Sequence, residues 1–223
     1  MKKFFSLVFM LFVIFTTTFS LFACKKESRD YSANISESDI ALLTLFTHDG
    51  KSEYKYGLFD LGHTFFSIEN LTNNNLKLSK MTIKPNSTIS FGTWPVLEHF
   101  GVWYNLESNY IAQHDRFNGR LSITIGINNE DINSISQFIE NNDRWTPIHN
   151  CAYFAVNIWN MVATNSEYIS KTLIYTPDFI AKEIRNFDNY EINKEIKTSD
   201  IIGYFDNNRY ISFKMEGDNY EAI

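Results

Sequence analysis

The chain has 223 residues, a formal net charge of −6 and two cysteines. This length suits one domain, or one domain with appendages, and it is enough to bury a core without disulfide bonds. A hydrophobic content of 44% excludes a disordered chain. The excess of 26 Asp and Glu residues over 20 Lys and Arg residues argues against a nucleic-acid-binding protein, which needs a basic surface. Two cysteines cannot form a disulfide scaffold.

Residues 1–23 have the pattern of a secretory signal peptide. Two lysines precede the uncharged, mostly apolar run 4–22, and a polar segment begins after Cys24. The Leu-Phe-Ala-Cys sequence that ends at Cys24 resembles the bacterial lipobox, although Phe22 is larger than the usual residue. In lipobox proteins the cysteine becomes the lipidated first residue, so we predict a lipoprotein anchored to a membrane of the cell envelope through Cys24. The open alternative is a transmembrane anchor, because the run is almost long enough to cross a bilayer.

The rest of the chain is expected to form a tether and one domain. Residues 24–38 are polar and aperiodic, which is typical of a tether, and residues 39–223 show no internal repeat and no second linker. Short apolar or alternating segments of this domain predict β-strands over 40–46, 54–59, 63–70, 76–83, 88–91 and 121–127. The tail from Asp200 onward is expected to add one or two strands.

Three segments have the periodicity of amphipathic helices, namely 130–141, 151–162 and 177–187. In the second, apolar side chains recur at helical spacing, and Asn150 is a suitable N-cap. In the third, Pro177 suits the first helical position. A sheet combined with these helices predicts an α+β fold.

Cys151 is the sharpest candidate for a catalytic residue. It is the only thiol left once Cys24 is acylated, and it lies in the first turn of the predicted helix 151–162. Backbone N–H groups and the helix dipole at this position stabilise a thiolate and can bind a developing oxyanion. The alternative is a buried cysteine that acts as a small hydrophobic residue on the apolar face of the helix.

A thiolate nucleophile needs a base, and His63 is the best-placed histidine. It begins the predicted strand 63–70 directly after Gly62, which permits a sharp entry into the strand. A histidine at a strand end can face a helix N-terminus across a cleft. The alternative is a surface histidine beside a turn.

Two separated motifs, GHTFFSI at 62–68 and NCAYFAVNIWN at 150–160, resemble those of a known superfamily. Together they resemble the circularly permuted papain-like cysteine hydrolases of the NlpC type, which include the lecithin:retinol acyltransferase-like proteins. In these proteins the strand-borne histidine precedes the cysteine in the sequence. The resemblance covers about residues 54–165. It implies a permuted papain-like domain, in which an antiparallel sheet packs against a helix that starts at the catalytic cysteine.

The resemblance also implies a third side chain that orients the histidine, from the strand after the histidine strand. That position falls near Asn75, whose amide can hold an imidazole by a hydrogen bond. The segment around Asn75 is rich in asparagine, so the alternative is a surface turn. Glu69, on the His63 side of its strand, is a weaker candidate.

An aromatic segment provides candidates for substrate binding, and the alternative is a packed aromatic loop. The candidates are Trp94, His99, Trp103 and Tyr104. His149 is close to Cys151 in sequence but is expected to point away from it. The histidines lack metal-ligand spacing such as HExxH, and no nucleotide-binding glycine motif occurs, so we predict no metal and no cofactor.

The resemblance implies an exported cysteine hydrolase or acyltransferase. We expect it to cleave an amide of a cell-wall peptide or protein through a thioester on Cys151, with His63 as the base. One alternative is a lipid acyl-ester hydrolase of the same fold. Another is a non-catalytic binding or structural lipoprotein of the envelope. The expected partners are a membrane, through the lipid anchor, and a peptidoglycan peptide or lipid substrate, but no nucleic acid.

Overall fold

The computed structural model describes residues 36–51, 61–96, 98–114, 116–197, 199, 201–216 and 219–222. The predicted signal peptide, Cys24 and most of the tether lie outside these residues, as does the predicted strand 54–59. Within the part that is described, no helix is both long enough and apolar enough to cross a membrane.

The described residues form a nine-stranded sheet and a separate two-stranded hairpin, and every strand pair is antiparallel. The strands are β1 (Ala41–His48), β2 (His63–Asn70), β3 (Leu76–Leu78), β4 (Met81–Ile83), β5 (Thr88–Val96), β6 (His99–Tyr104), β7 (Leu121–Ile127), β8 (Glu191–Ile192), β9 (Ile201–Asp206), β10 (Arg209–Glu216) and β11 (Asn219–Ala222). The spatial order in the large sheet is β11-β10-β9-β6-β5-β2-β1-β7-β8.

Four α-helices accompany the sheet in the described chain. They are α1 (Leu106–His114), α2 (Asn129–Asn141), α3 (Cys151–Val162) and α4 (Pro177–Ile184). A large antiparallel sheet with helices confirms the predicted α+β class. The helix predicted over 151–162 has the expected bounds, and the one predicted over 177–187 ends earlier, at Ile184. The helix α1 was not predicted.

Three strand predictions need correction. The segment 76–83 is not one strand but the β3–β4 hairpin, because the backbone of Ser79 adopts a φ of 50° and turns the chain. The Ser79 N–H donates to Ser136 Oγ on α2 at 2.9 Å, which ties this turn to the helix. The strand predicted over 88–91 continues to Val96, and the tail forms three strands rather than one or two.

The larger core lies on the face of the sheet that α2, α3 and α4 cover. Phe66 of β2 packs there against Phe91 and Phe154, with ring centroids 5.0 Å and 5.9 Å away. Because side chains alternate along a strand, His63 and Phe65 lie on the opposite face. This second face is covered by α1, whose Leu106 belongs to a smaller aromatic core.

The register of the central strands defines one end of the sheet. His48 of β1 lies opposite His63 of β2, and the ring of Trp94 near the end of β5 lies 4.0 Å from the His63 ring. At the other end of the same strands, Ala41 lies opposite Asn70. We call the former the His63 end of the sheet, and it is the end at which α3 begins.

Candidate active site

Cys151 occupies the first turn of α3, and the cap of this helix shapes its surroundings. The Asn150 side chain accepts the Tyr153 N–H at 2.9 Å, and the Asn150 carbonyl accepts the Phe154 N–H at 3.0 Å. The Asn150 amide also donates to the Tyr175 carbonyl at 2.9 Å, which fixes the helix start against the chain that leads into α4. Cys151 is a free thiol and is half-buried. The cap therefore holds a partly accessible thiol at the positive end of the helix dipole.

His63 is the first residue of β2 and is buried. The preceding Gly62 has a φ of +82°, and a Cβ built on it would lie 2.3 Å from the His48 carbonyl oxygen. A side chain is therefore excluded at this position, and only glycine gives the sharp entry that delivers His63. The His63 ring packs between the aromatic rings of Phe65, Trp94 and Phe117, which fix its plane.

The thiol of Cys151 and the imidazole of His63 are hydrogen-bonded to each other. Burial alone would raise the pKa of Cys151, but the charge and hydrogen bond of His63 outweigh it and lower that pKa. The backbone N–H groups of Thr64 and Ala152, which also donate to the sulfur, act in the same direction. Burial would likewise lower the pKa of His63, but Cys151 and Glu107 outweigh it and raise that pKa to about 9. These opposite shifts favour a thiolate–imidazolium ion pair at neutral pH.

Glu107 is the third member of this arrangement. Its Oε1 lies 3.1 Å from His63 Nε2, and its side chain is fully buried. The same Oε1 accepts the indole N–H of Trp94 at 2.7 Å, and Oε2 accepts the Ser90 hydroxyl at 3.2 Å. A buried carboxylate with these donors is fixed in place and can orient the imidazole while balancing its positive charge. Because Glu107 holds Nε2, Nδ1 is the ring nitrogen left for Cys151.

A glycine on β5 leaves room for the contact between Glu107 and His63. A Cβ built on Gly92 would lie 1.9 Å from Glu107 Oε1 and 3.0 Å from His63 Nε2. Any side chain at this position would separate the imidazole from the carboxylate. Gly92 is therefore part of the site through the space that it leaves open.

Comparisons with known proteins give one distant similarity. No protein-family model matches the chain, and no curated protein matches it. Among solved structures, the chain is similar to the type VI secretion system effector TseH, with 13% sequence identity and a TM-score of 0.39 over 79% of this chain and 99% of that chain. A similarity at this level indicates at most a distant relationship in fold, and it carries no argument about the site.

Asn75 does not fill the orienting position that was predicted for it. It lies in an exposed loop beyond Asn70, at the opposite end of β2 from His63. Glu69 is also remote from His63 along the strand, and its carboxylate pairs with Lys197. Glu107 occupies the orienting position instead, because α1 follows β6 across the face of the sheet that carries His63.

The four residues predicted to bind substrate do not form a groove together. Trp103 and Tyr104 are almost completely buried in the two cores, and burial raises the pKa of the Tyr104 phenol. Trp94 is also buried, and it lies beside His63 as a donor to Glu107. His99 is partly exposed but lies flat on Tyr204, with ring centroids 4.5 Å apart. Trp94, Trp103 and Tyr104 are therefore packed, as the alternative expected, but they lie on strands β5 and β6 rather than in a loop.

The other histidines that are described in full lie in local contacts of their own. His149 has Nδ1 at 3.3 Å from the Thr146 hydroxyl, and its ring packs edge-on against Tyr153. His48 accepts the Gly50 N–H at 3.2 Å, and burial lowers its pKa. Among the described residues there is no group of three or more His, Cys, Asp or Glu side chains that could hold a metal ion.

Proposed function

We propose that the protein is a cysteine hydrolase or acyltransferase, with Cys151 as the nucleophile, His63 as the general base and acid, and Glu107 as the orienting residue. The observation that carries this proposal is the hydrogen-bonded Cys151–His63 pair at a helix start, backed by the buried carboxylate of Glu107. A thiol, a base and a group that orients the base are the parts that covalent acyl transfer needs.

The first half of the reaction forms a thioester. The Cys151 thiolate attacks the carbonyl carbon of the substrate and forms a C–S bond, and the carbonyl electrons move to oxygen. Backbone N–H groups at the start of α3, including that of Cys151, stabilise the oxyanion. The oxyanion then collapses, the bond to the amine or alcohol breaks, and the His63 imidazolium donates its proton to that leaving group.

The second half releases the acyl group. Neutral His63 takes a proton from water, and the resulting hydroxide attacks the thioester carbon. The C–S bond breaks, so the thiolate of Cys151 is restored beside the imidazolium. An alcohol or amine in place of water would give acyl transfer by the same steps. Glu107 remains ionised throughout and stays hydrogen-bonded to Nε2 of His63, which fixes the orientation of the ring.

The sequence supports a proposal for the substrate and the location. An envelope lipoprotein anchored through Cys24 would meet cell-wall peptides, so an amide of such a peptide or protein is the proposed substrate bond. The lipid-anchored state can be tested by labelling cells with a palmitate analogue. Label should enter the full chain and be lost in Cys24→Ala, and label that persists in this variant would contradict the anchor.

The experiment that tests the proposed chemistry traps the thioester. Full-length protein is mixed with p-nitrophenyl acetate, and the intact mass and peptide masses are measured. We expect an acetyl group on Cys151, a burst of nitrophenolate, and neither in Cys151→Ala. In parallel, iodoacetamide should alkylate Cys151 faster at neutral pH than it alkylates free cysteine. An acetyl group on another residue, or alkylation no faster than that of free cysteine, would contradict the proposal and favour a non-catalytic protein.

A further inference from the structure

Exposed apolar side chains are concentrated at the His63 end of the sheet. Among the described residues, six large apolar side chains with exposures between 57% and 97% lie there. Ile192 is the most remote of them, because β7 and β1 separate its strand from β2. The other five lie nearer to the segments that carry Cys151 and His63, and they are Leu61, Phe100, Ile148, Leu173 and Ile174. We call these five residues the apolar rim. Single exposed apolar residues are common on proteins and need no explanation, but a cluster around a functional site indicates an apolar partner.

Two backbone connections tie part of the rim to the nucleophile. The Trp145 N–H donates to the Phe100 carbonyl at 3.0 Å, which joins the tip of the β5–β6 hairpin to the loop that leads to Cys151. Ile148 lies on that same loop, three residues before Cys151. Phe100 and Ile148 therefore flank the approach to the thiol from the side of β6.

The rest of the rim flanks the opposite side. Leu61 precedes Gly62 and His63, and Gly62 is packed so closely on Pro177 that an added Cβ would lie 2.9 Å from the proline side chain. The hydrogen bond from Asn150 to the Tyr175 carbonyl brings the segment with Leu173 and Ile174 to the start of α3. The segments that carry the rim therefore adjoin the start of α3 and the start of β2.

We propose that the apolar rim binds an apolar acyl group of the substrate, next to the carbonyl that Cys151 attacks. This inference rests on the proposed function and names its substrate class. The occupant is the substrate because the rim lies on the segments that carry Cys151 and His63, where the carbonyl of a substrate must bind.

The test is a series of p-nitrophenyl esters from acetate through butyrate to hexanoate, hydrolysed by the full chain held in lipid nanodiscs. Each methylene that the rim removes from water should raise kcat/KM by about two- to fourfold. The hexanoate-to-acetate ratio of kcat/KM should therefore be at least about tenfold. It should fall several-fold in Phe100→Ser and in Ile148→Ser.

Matched controls come from exposed apolar residues that are remote from the thiol. Leu71 follows the far end of β2. Ile192 lies at the His63 end but on the edge strand β8, with β7 and β1 between it and β2. Leu71→Ser and Ile192→Ser should keep the wild-type ratio, with the same partitioning of esters into the nanodisc.

The outcomes separate the two proposals. Hydrolysis that depends on Cys151 but shows the same kcat/KM for every ester overturns the rim proposal alone, and assigns the rim to another occupant such as the bilayer. A ratio that falls equally in the control variants also overturns it. Ester hydrolysis that survives Cys151→Ala contradicts the proposed function, and the rim proposal with it.

Discussion

Within the described residues, two histidine–carboxylate pairs lie at the His63 end of the sheet. His63 pairs with Glu107 at 3.1 Å, and His99 pairs with Asp143 at 2.7 Å. The side chains of the first pair are 6% and 0% exposed, whereas those of the second are 19% and 30% exposed. The shorter distance belongs to the more exposed pair, so distance alone does not identify the pair that contacts the thiol.

The neighbours of each histidine distinguish the two pairs. The second ring nitrogen of His63 meets a thiol, whereas the ring of His99 lies flat on Tyr204. Asp143 also accepts the Val102 N–H at 2.7 Å, so the second pair ties the loop after α2 to β6. Burial and a bond to a thiol are the features that the proposed catalytic role of the first pair requires, and the second pair lacks them.

Replacing the two histidines should give the largest contrast. His63→Ala removes the base and the cation that stabilises the thiolate, so hydrolysis of p-nitrophenyl acetate should fall by about 10³-fold or more. Alkylation of Cys151 by iodoacetamide at neutral pH should fall as well, because burial then raises the thiol pKa. His99→Ala should change either rate by less than about threefold. Equal losses in the two variants would mean that the pairs do not differ as described.

Replacing the two carboxylates should give the next contrast. Glu107→Gln keeps the shape of the side chain but removes the charge that balances the imidazolium, so hydrolysis should fall by about 10²–10³-fold. Asp143→Asn is the matched control and should leave the rate within about threefold. Circular dichroism and the melting temperature should show that both variants fold. A normal rate in folded Glu107→Gln would remove Glu107 from the mechanism.

The sequence could predict those features whose determining residues are close together in the chain. The helix that begins at Cys151 is capped by the preceding residue, and the strand that begins at His63 directly follows a glycine. Both elements were therefore predicted with the bounds that the structure has. The turn at Ser79 could not be predicted from neighbouring residues. Its backbone N–H bonds to a side chain of α2, which is far away in the sequence.

Glu107 was missed for the same reason. It is 44 residues from His63 in sequence, and it reaches the imidazole only because β5 and β6 intervene in the sheet and Gly92 leaves space. The backbone of Asn105 has a φ of 61°, and this turn starts α1 over the His63 face of the sheet. The helix α1 was itself not predicted, and an acidic residue in its first turn is typical of ordinary helix starts, so it would not have indicated a functional residue.

The pH dependence of the first pair should reveal its charge state. The pKa of Cys151 is lowered from its ordinary 9.0 by His63, so alkylation at neutral pH should be faster than that of free cysteine and should fall as acid protonates the thiolate. The pKa of His63 is raised to about 9, so hydrolysis of a peptide amide, whose amine leaving group needs a proton, should fall above about pH 9, where His63 no longer carries that proton. Alkylation needs no such proton and should persist there.

Glu107→Gln sharpens this test. Without the carboxylate the pKa of His63 should be lower, so the alkaline fall in hydrolysis should move to lower pH. Asp143→Asn should leave the profile in place. A thiolate that forms only near pH 9 in the wild type would contradict the ion pair.

The smallest expected effect concerns two tryptophans, one beside each pair. Trp94 donates its indole N–H to Glu107 at 2.7 Å, and Trp103 donates its own to the His99 carbonyl at 3.0 Å. Trp94→Phe keeps an aromatic ring beside His63 but removes one donor from the carboxylate. A lost hydrogen bond to a charged group is worth about 1.5–3 kcal/mol, so Glu107 should be less well fixed and kcat should fall by about tenfold.

Trp103→Phe is the control, because it removes a buried indole N–H from the same aromatic region without touching Glu107. Both variants should lower the melting temperature, since each leaves a space and an unmet acceptor in a buried region. Only Trp94→Phe should also lower kcat at unchanged KM and shift the alkaline limb of the pH profile, because a purely structural loss would not alter the protonation of His63. If the two variants lose activity in proportion to their melting temperatures, Trp94 stabilises the fold and does not position Glu107.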